Sequence, residues 1–168
     1  MKRKSIGLTS VTFRQKTVEE ILDICKDVGL QCIEWGGDVH LPPGDLKKAH
    51  MAASKTQADN LRISSYGSYY KLCTNDEIEQ AFEPILTTAV VVNAPIIRIW
   101  EGTIPSADVT GAYMERVLQE LRILCDIAAQ YRIGIGLEYH RNTLTDNWKA
   151  TLELLNCVGR ENCTLTGR

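Results

Sequence analysis

The chain has 168 residues, 44% hydrophobic and 24% charged, with a formal net charge of -2. That is enough for one domain with its own core. The near balance of charge gives no electrostatic reason to expect a nucleic-acid partner or an acidic membrane surface, and no apolar run approaches the roughly 18 residues that span a bilayer.

The start, Met1-Lys2-Arg3-Lys4, is basic, and Ser5 to Ser10 is too short and too polar for the apolar part of a secretion signal. The basic residues therefore read as a solvated tail before a strand, and a cytoplasmic location is expected. The six cysteines, Cys25, Cys32, Cys73, Cys125, Cys157 and Cys163, form no C-x-x-C pair, and most lie in apolar runs. Reduced core thiols fit this pattern better than a zinc knuckle.

The β-rich stretch Ser5–Phe13 reads as the first strand. Thr17-Val18-Glu19-Glu20 has the form of a capping box. Val18, Ile21, Leu22, Cys25 and Val28 come next at helical spacing until Gly29. Leu30–Trp35 is the second strand. Gly36–Gly44 is a loop rich in breakers, and Asp45 caps a helix running to about Ala58. Leu61–Tyr66 is the third strand and leads into an aromatic loop, Tyr66–Tyr70. Thr74-Asn75-Asp76-Glu77 has the form of another capping box. Ile78, Phe82, Ile85, Leu86 and Ala89 continue it at helical spacing, and Pro84 within them predicts a kink or two consecutive helices. Pro95–Trp100 is the fourth strand. The longest helix spans about Asp108 to Tyr131, with Tyr113, Val117, Leu121, Leu124 and Ala128 on one face. Ile133–Leu137 reads as a fifth, buried strand, Thr145 or Asp146 caps a last helix, and Cys163–Thr166 starts a sixth strand.

Strand and helix alternate throughout, so the fold class is α/β, a parallel βα repeat with right-handed crossovers. An open doubly wound sheet and part of a (β/α)8 barrel both satisfy that pattern. A doubly wound nucleotide fold needs a Gly-rich turn after its first strand, and this strand runs into Thr12-Phe13-Arg14 instead. Glu34-Trp35, Tyr66, Trp100-Glu101 and Glu138 end successive strands, as suits a barrel mouth.

The fifth strand carries the most pointed chemistry. Its uncharged run ends in Glu138, with His140, Arg141 and Asn142 close behind. A carboxylate at the C-terminal tip of a buried parallel strand is where such folds place ligand chemistry. Pairing with Arg141 alone is the plainer role. His140, two residues on, points to the same side of an extended chain and either meets substrate or bonds within its loop. Trp100, Trp35 and Tyr66 offer apolar rings for the C–H face of a sugar, or ordinary rim packing. Arg98 has Glu138 and Glu34 as available partners. His50 reads as a surface or core-edge residue of its helix.

The segments Ile33-Glu34-Trp35-Gly36-Gly37-Asp38-Val39-His40, Ile97-Arg98-Ile99-Trp100-Glu101-Gly102 and Leu137-Glu138-Tyr139-His140, with Leu144-Thr145 beyond, resemble the xylose isomerase-like TIM barrels. Within them the likeness is to the sugar phosphate isomerase/epimerase group, and it covers nearly the whole chain. The resemblance implies proton transfer beside the carbonyl of a small sugar or sugar phosphate through an enediolate, assisted by a divalent metal, Mn, Mg or Zn. It makes Glu138 a metal ligand and a catalytic acid/base group. It places His40 in a loop that faces substrate, with a bond within its own Gly/Pro-rich loop as the plainer role, and adds the candidate binding residues Trp100, His140, Tyr66 and Trp35.

A complete barrel of this kind takes roughly 250 residues, and here there are about five βα units and a stub. The family's other metal ligands, on its sixth, seventh and eighth strands, have no counterpart in this sequence. The chain therefore resembles the N-terminal portion of the family, a single truncated domain over residues 1–168 with impaired activity. A second class of function is a non-catalytic truncated barrel that acts as a structural chain or self-associates through exposed edges. An endonuclease-IV-like phosphodiesterase would need more His ligands and a basic face than three His and this charge provide.

Overall fold

The computed structural model describes residues 5–166, so the tail expected at Met1 to Lys4 lies outside the described residues. Strand and helix alternate as β1 (Gly7–Thr9), α1 (Val18–Asp27), β2 (Cys32–Gly36), α2 (Leu46–Ala58), β3 (Arg62–Lys71), α3 (Ile78–Val91), β4 (Ile96–Trp100), α4 (Gly111–Ala129), β5 (Gly134–Glu138), α5 (Trp148–Val158) and β6 (Cys163–Thr166). The strands form one sheet in the order β1-β2-β3-β4-β5-β6. The pairs β1–β2, β2–β3 and β5–β6 are parallel. A doubly wound sheet reverses its strand order at a switch point; here the order never reverses, which is barrel-type progression.

The contacts divide the described chain into two compact units. The first takes residues up to Ser68 together with Pro84–Ile96, and the second takes Tyr69–Glu83 and everything from Ile97 onward.

In the first unit, Thr17 and Glu20 close the expected capping box and start α1. Val18, Ile21, Leu22 and Cys25 then form its buried stripe. Each fully buried aliphatic side chain of this kind contributes about 1.5–3 kcal/mol. Register decides which side chains of the sheet meet. Thr9, Glu34 and Ser65 align across β1, β2 and β3, as do Trp35 and Tyr66 across β2 and β3. Thr9 Oγ1 donates to Glu34 at 3.0 Å and Ser65 Oγ at 2.8 Å. The register slips between Ile33 and Glu34, and there Ser64 Oγ donates to the Ile33 carbonyl at 3.0 Å.

The second unit is built on α4. Its stripe of Val117, Leu118, Leu121, Leu124, Cys125 and Ala128 is buried. Ile135 and Leu137 of β5 are fully buried as well. Because strand side chains alternate, Gly134, Gly136 and Glu138 occupy the opposite face from Ile135 and Leu137. Buried Glu120 accepts from Tyr70 Oη and Cys73 N, both at 2.7 Å, and so ties α4 to the end of β3.

Several local expectations are corrected. The first strand stops at Thr9, and Ser10–Phe13 turn into a 3-10 helix. There Ser10 Oγ accepts from Gly36 N at 2.9 Å, a bond that a continued strand would not make. The aromatic loop does not form, because β3 continues through Lys71. Thr74 is not a helix cap: its hydroxyl donates to the Lys71 carbonyl at 2.8 Å, and α3 opens at Glu77, whose carbonyl accepts Ala81 N at 3.0 Å. Pro84 lies inside one continuous α3 rather than between two helices. The longest helix starts at Gly111, capped by Thr110. Neither Thr145 nor Asp146 caps α5; the side chain of Asn147 does, accepting from Lys149 N and Ala150 N at 3.0 Å. The other two side chains are occupied elsewhere, Thr145 on Glu101 and Asp146 on Ser106.

All six cysteines are free thiols; Cys25 and Cys125 are buried, whereas Cys157 is exposed. Among the described residues, no helix is long and apolar enough to cross a membrane.

Candidate active site

The C-terminal tips of β3, β4 and β5 within the second unit carry one polar and aromatic cluster. Period-2 alternation puts Arg98 and Trp100 on one face of β4, with Ile97 and Ile99 on the other. The side chains of Arg98 and Glu138 are 1% and 6% exposed and form an ion pair, Arg98 Nη1 to Glu138 Oε2. Trp100 Nε1 donates to the same carboxylate oxygen. Two donors from one strand thus hold the carboxylate of the next in a single orientation.

Aromatic packing surrounds the pair. The His140 ring stacks on Trp100 with centroids 4.7 Å apart and 21° between planes. Tyr69 meets Trp100 edge-on at 5.6 Å, the Arg98 guanidinium lies 5.5 Å from the Tyr69 ring centroid, and Lys71 Nζ lies 4.8 Å from that of Trp100. Such cation–π contacts favour a guanidinium or ammonium over a ring face. Trp100 and His140 both keep partial exposure, so the stack is open to a ligand.

The next residue after Trp100, Glu101, is fully buried. Its Oε2 lies 2.5 Å from Thr145 Oγ1, which in turn lies 2.6 Å from the Glu138 carbonyl oxygen. Burial pushes the Glu101 carboxyl up to about 8, outweighing the opposing hydrogen bond from Thr145 and the charge of Arg98.

The structure brings Glu138, Trp100 and His140 together. It places the remaining candidates in the first unit. Trp35 is fully buried, with Nε1 donating to Thr56 Oγ1 at 3.2 Å. Tyr66 is fully buried and donates to the Leu41 carbonyl at 2.7 Å; burial raises its phenol well above the usual range. His40 is 4% exposed. Its Nε2 lies 3.1 Å from the Lys16 carbonyl and its ring 6.1 Å from that of Trp35. Glu34 is held by Thr9 and Ser65, whereas Arg98 takes Glu138. His50 is exposed on α2.

Tyr69, Lys71, Thr143 and Thr145 do not stand out as site residues in the sequence. The alternation of Tyr69 and Lys71 at the end of β3 matches that of Arg98 and Trp100 on β4 and is the signal that was available. Thr143 carries none, and Thr145 enters only as part of a resembling segment and as a candidate helix cap, since only the return of their loop over β5 brings them to Glu101.

Among the described residues, no group of three or more His, Cys, Asp or Glu side chains gathers to hold a metal ion. Glu138 is one carboxylate, already engaged by a guanidinium and an indole. These residues alone do not fit a divalent-metal site, which takes several converging ligands.

A sequential parallel βα repeat whose polar cluster sits at strand C-terminal tips defines a chain of the (β/α)-barrel class. The family model described as xylose isomerase-like TIM barrel matches residues 22–166, and the chain belongs to that family. A 3-dehydroshikimate dehydratase of Bacillus anthracis is 26% identical over 163 residues, 93% of this chain and 58% of that protein. The crystal structure of the probable 3-DHS dehydratase involved in petrobactin synthesis, from the same organism, aligns with TM-score 0.85 and 23% identity. It covers 98% of this chain and 62% of its own. The chain thus spans about three fifths of the length of these relatives. Two further solved structures of this fold contain metal. One, from Mycobacterium smegmatis, is in complex with magnesium (TM-score 0.73, 14% identity, 96% and 63% covered), and one, the IOLI protein, has a bound zinc (0.74, 18%, 96% and 62%).

Proposed function

We propose that the chain carries the Glu138 end of a site for proton transfer beside a carbonyl group in a small sugar or sugar phosphate, in the isomerase/epimerase class. The observation that carries this reading is the buried Glu138 carboxylate, oriented by Arg98 and Trp100 at the tip of β5, with the His140–Trp100 stack beside it. A carboxylate fixed by neighbouring donors acts as acid or base only toward a proton within hydrogen-bond reach. The half-open Trp100 ring suits the C–H face of a small polyhydroxylated substrate. The proposed site omits Trp35 and Tyr66, whose rings are fully buried.

A divalent metal, as in the relatives that hold magnesium or zinc, would stabilise the developing enediolate. It would need ligands beyond those that the described residues supply, so the chain by itself works at a reduced rate. The kinship with a protein named 3-dehydroshikimate dehydratase favours a second reading, loss of water from a cyclic hydroxyketone. Both reactions begin with removal of a proton next to a carbonyl.

The test is deuterium exchange from D2O, monitored by NMR at the carbon beside the carbonyl, for ketoses, their phosphates and 3-dehydroshikimate, with Mg²⁺, Mn²⁺ or Zn²⁺ added. Slow exchange above the solvent control that disappears in Glu138→Gln is expected. A folded wild-type chain that exchanges none of these substrates overturns the proposal.

A further inference from the structure

We infer that Glu101 is present as a neutral carboxylic acid that donates its proton to Thr145, which makes it a positioning residue for the Glu138–His140 strand end. The inference deepens the site proposed above and rests on that reading only for the role of the strand end it holds.

Hydroxyl protons are scarce in this cluster. Thr143 has one and gives it to the His140 carbonyl at 2.7 Å. Thr143 Oγ1 therefore accepts from Thr145 N at 3.3 Å and has no proton left for Thr145 Oγ1 at 3.1 Å. Thr145 also has one hydroxyl proton, and two oxygens crowd it, the Glu138 carbonyl at 2.6 Å and Glu101 Oε2 at 2.5 Å. A carbonyl only accepts. If Glu101 were ionised, both would be acceptors competing for one proton, and one short contact would be an unrelieved repulsion between oxygens. A protonated Glu101 removes the conflict. It donates to Thr145 Oγ1, and Thr145 donates onward to the Glu138 carbonyl.

The rest of the pocket agrees. Glu101 Oε1 has no hydrogen-bond partner among the described residues, which costs far more for a buried carboxylate than for a neutral acid. The titratable groups around it are Arg98 on the preceding strand, whose charge favours ionisation but which is paired with Glu138, and Cys163 on β6, whose thiol is raised chiefly by its contact with Cys125 and by burial. From the β5 end and the loop after it come the Glu138 carbonyl, by way of Thr145, and the hydroxyls of Thr143 and Thr145. Burial is the largest influence, and it favours the neutral form.

Ionisation of Glu101 would draw the Thr145 hydroxyl toward the carboxylate and release the Glu138 carbonyl. The test is carbon-13 NMR of glutamate carboxyls in the full chain, with ring signals of His140 tracked in parallel. The Glu101 carboxyl, assigned by its loss in Glu101→Gln or by its coupling to Thr145, should be neutral at pH 7 and titrate near pH 8. His140 ring shifts should carry an inflection at that same pH in wild type. In Glu101→Gln, whose amide also donates, the inflection should be gone and the strand end otherwise unchanged. If the variant does not fold, the wild-type carboxyl signal decides. A carboxyl already ionised at pH 6 overturns the inference, and so does a His140 inflection that persists in Glu101→Gln. Neither result bears on turnover, so the proposed reaction stands or falls separately.

Discussion

Arg98 and Glu138, 40 positions apart in sequence, meet as a buried ion pair because both occupy the same face of adjacent strands, at the last turn of the pleat before the strands end. Around that pair Trp100, Tyr69 and His140 are arranged, so its energetics govern the site.

Removing one partner of this pair takes away the ion-pair contact that offsets the burial of the other charge. Arg98→Ala and Glu138→Ala should each cost about 3–5 kcal/mol in urea unfolding. The double replacement Arg98→Met/Glu138→Met should cost much less than the sum, since no buried charge remains. Additive losses would show that the pair is not coupled.

Trp100 supplies both an N–H to Glu138 and a ring to His140. Trp100→Phe keeps a ring but deletes the donor. A hydrogen bond to a charged group contributes about 1.5–3 kcal/mol, and a loss of that size in stability is expected. His140→Ala should remove only the partly exposed stack and cost about 1 kcal/mol. Equal effects of the two would place the stabilisation in the stack rather than in the donated hydrogen bond.

Gly102 comes directly after Glu101 with φ of +79°, and a Cβ there would run into the Tyr113 hydroxyl. Gly102→Ala should destabilise by more than about 1 kcal/mol. Adding Tyr113→Phe should recover the steric part and leave the backbone part, which denaturant titration of the single and double variants separates. Full recovery would mean that the left-handed backbone costs nothing.

Asp146 accepts from Ser106 Oγ at 2.6 Å and Ser106 N at 3.2 Å, and these bonds, Ser106 Oγ first, hold its carboxyl below the ordinary value of 3.8. A depressed folded-state value stabilises the fold above the unfolded value, and that contribution is lost as pH falls through the folded one. The Tm advantage of wild type over Asp146→Asn should therefore be constant at neutral pH and shrink as pH falls below 3.8. An advantage that grows with acid would contradict the assigned sign.

The course of the fold was legible because hydrophobic period and capping chemistry act over a few residues. The stripe of α1 and its Thr17–Glu20 box are local properties, and they appear where the pattern puts them. Where a side chain had a distant competitor, local reading failed. Thr145 and Asp146 have the chemistry of helix caps, but Glu101 and Ser106 take them first, and the cap passes to Asn147. Trp35, Tyr66 and Trp100 all read from the sequence as aromatic residues at strand ends, although Tyr66 lies in the middle of β3. Yet the first two carry bonds to Thr56 and to Leu41 inside the first unit, and only Trp100 meets Glu138.

From the chain alone came the alternation of strand and helix, the barrel-type strand tips and the place of Glu138 at the end of the fifth strand, because each is written in period, turn residues and residue type over short stretches. Tertiary structure alone decided that Arg98 pairs with Glu138 rather than Glu34, that His140 stacks on Trp100, and that Glu101 lies buried against two threonine hydroxyls. Those outcomes depend on which strands become neighbours and in what register, and no local pattern encodes a partner 40 residues away.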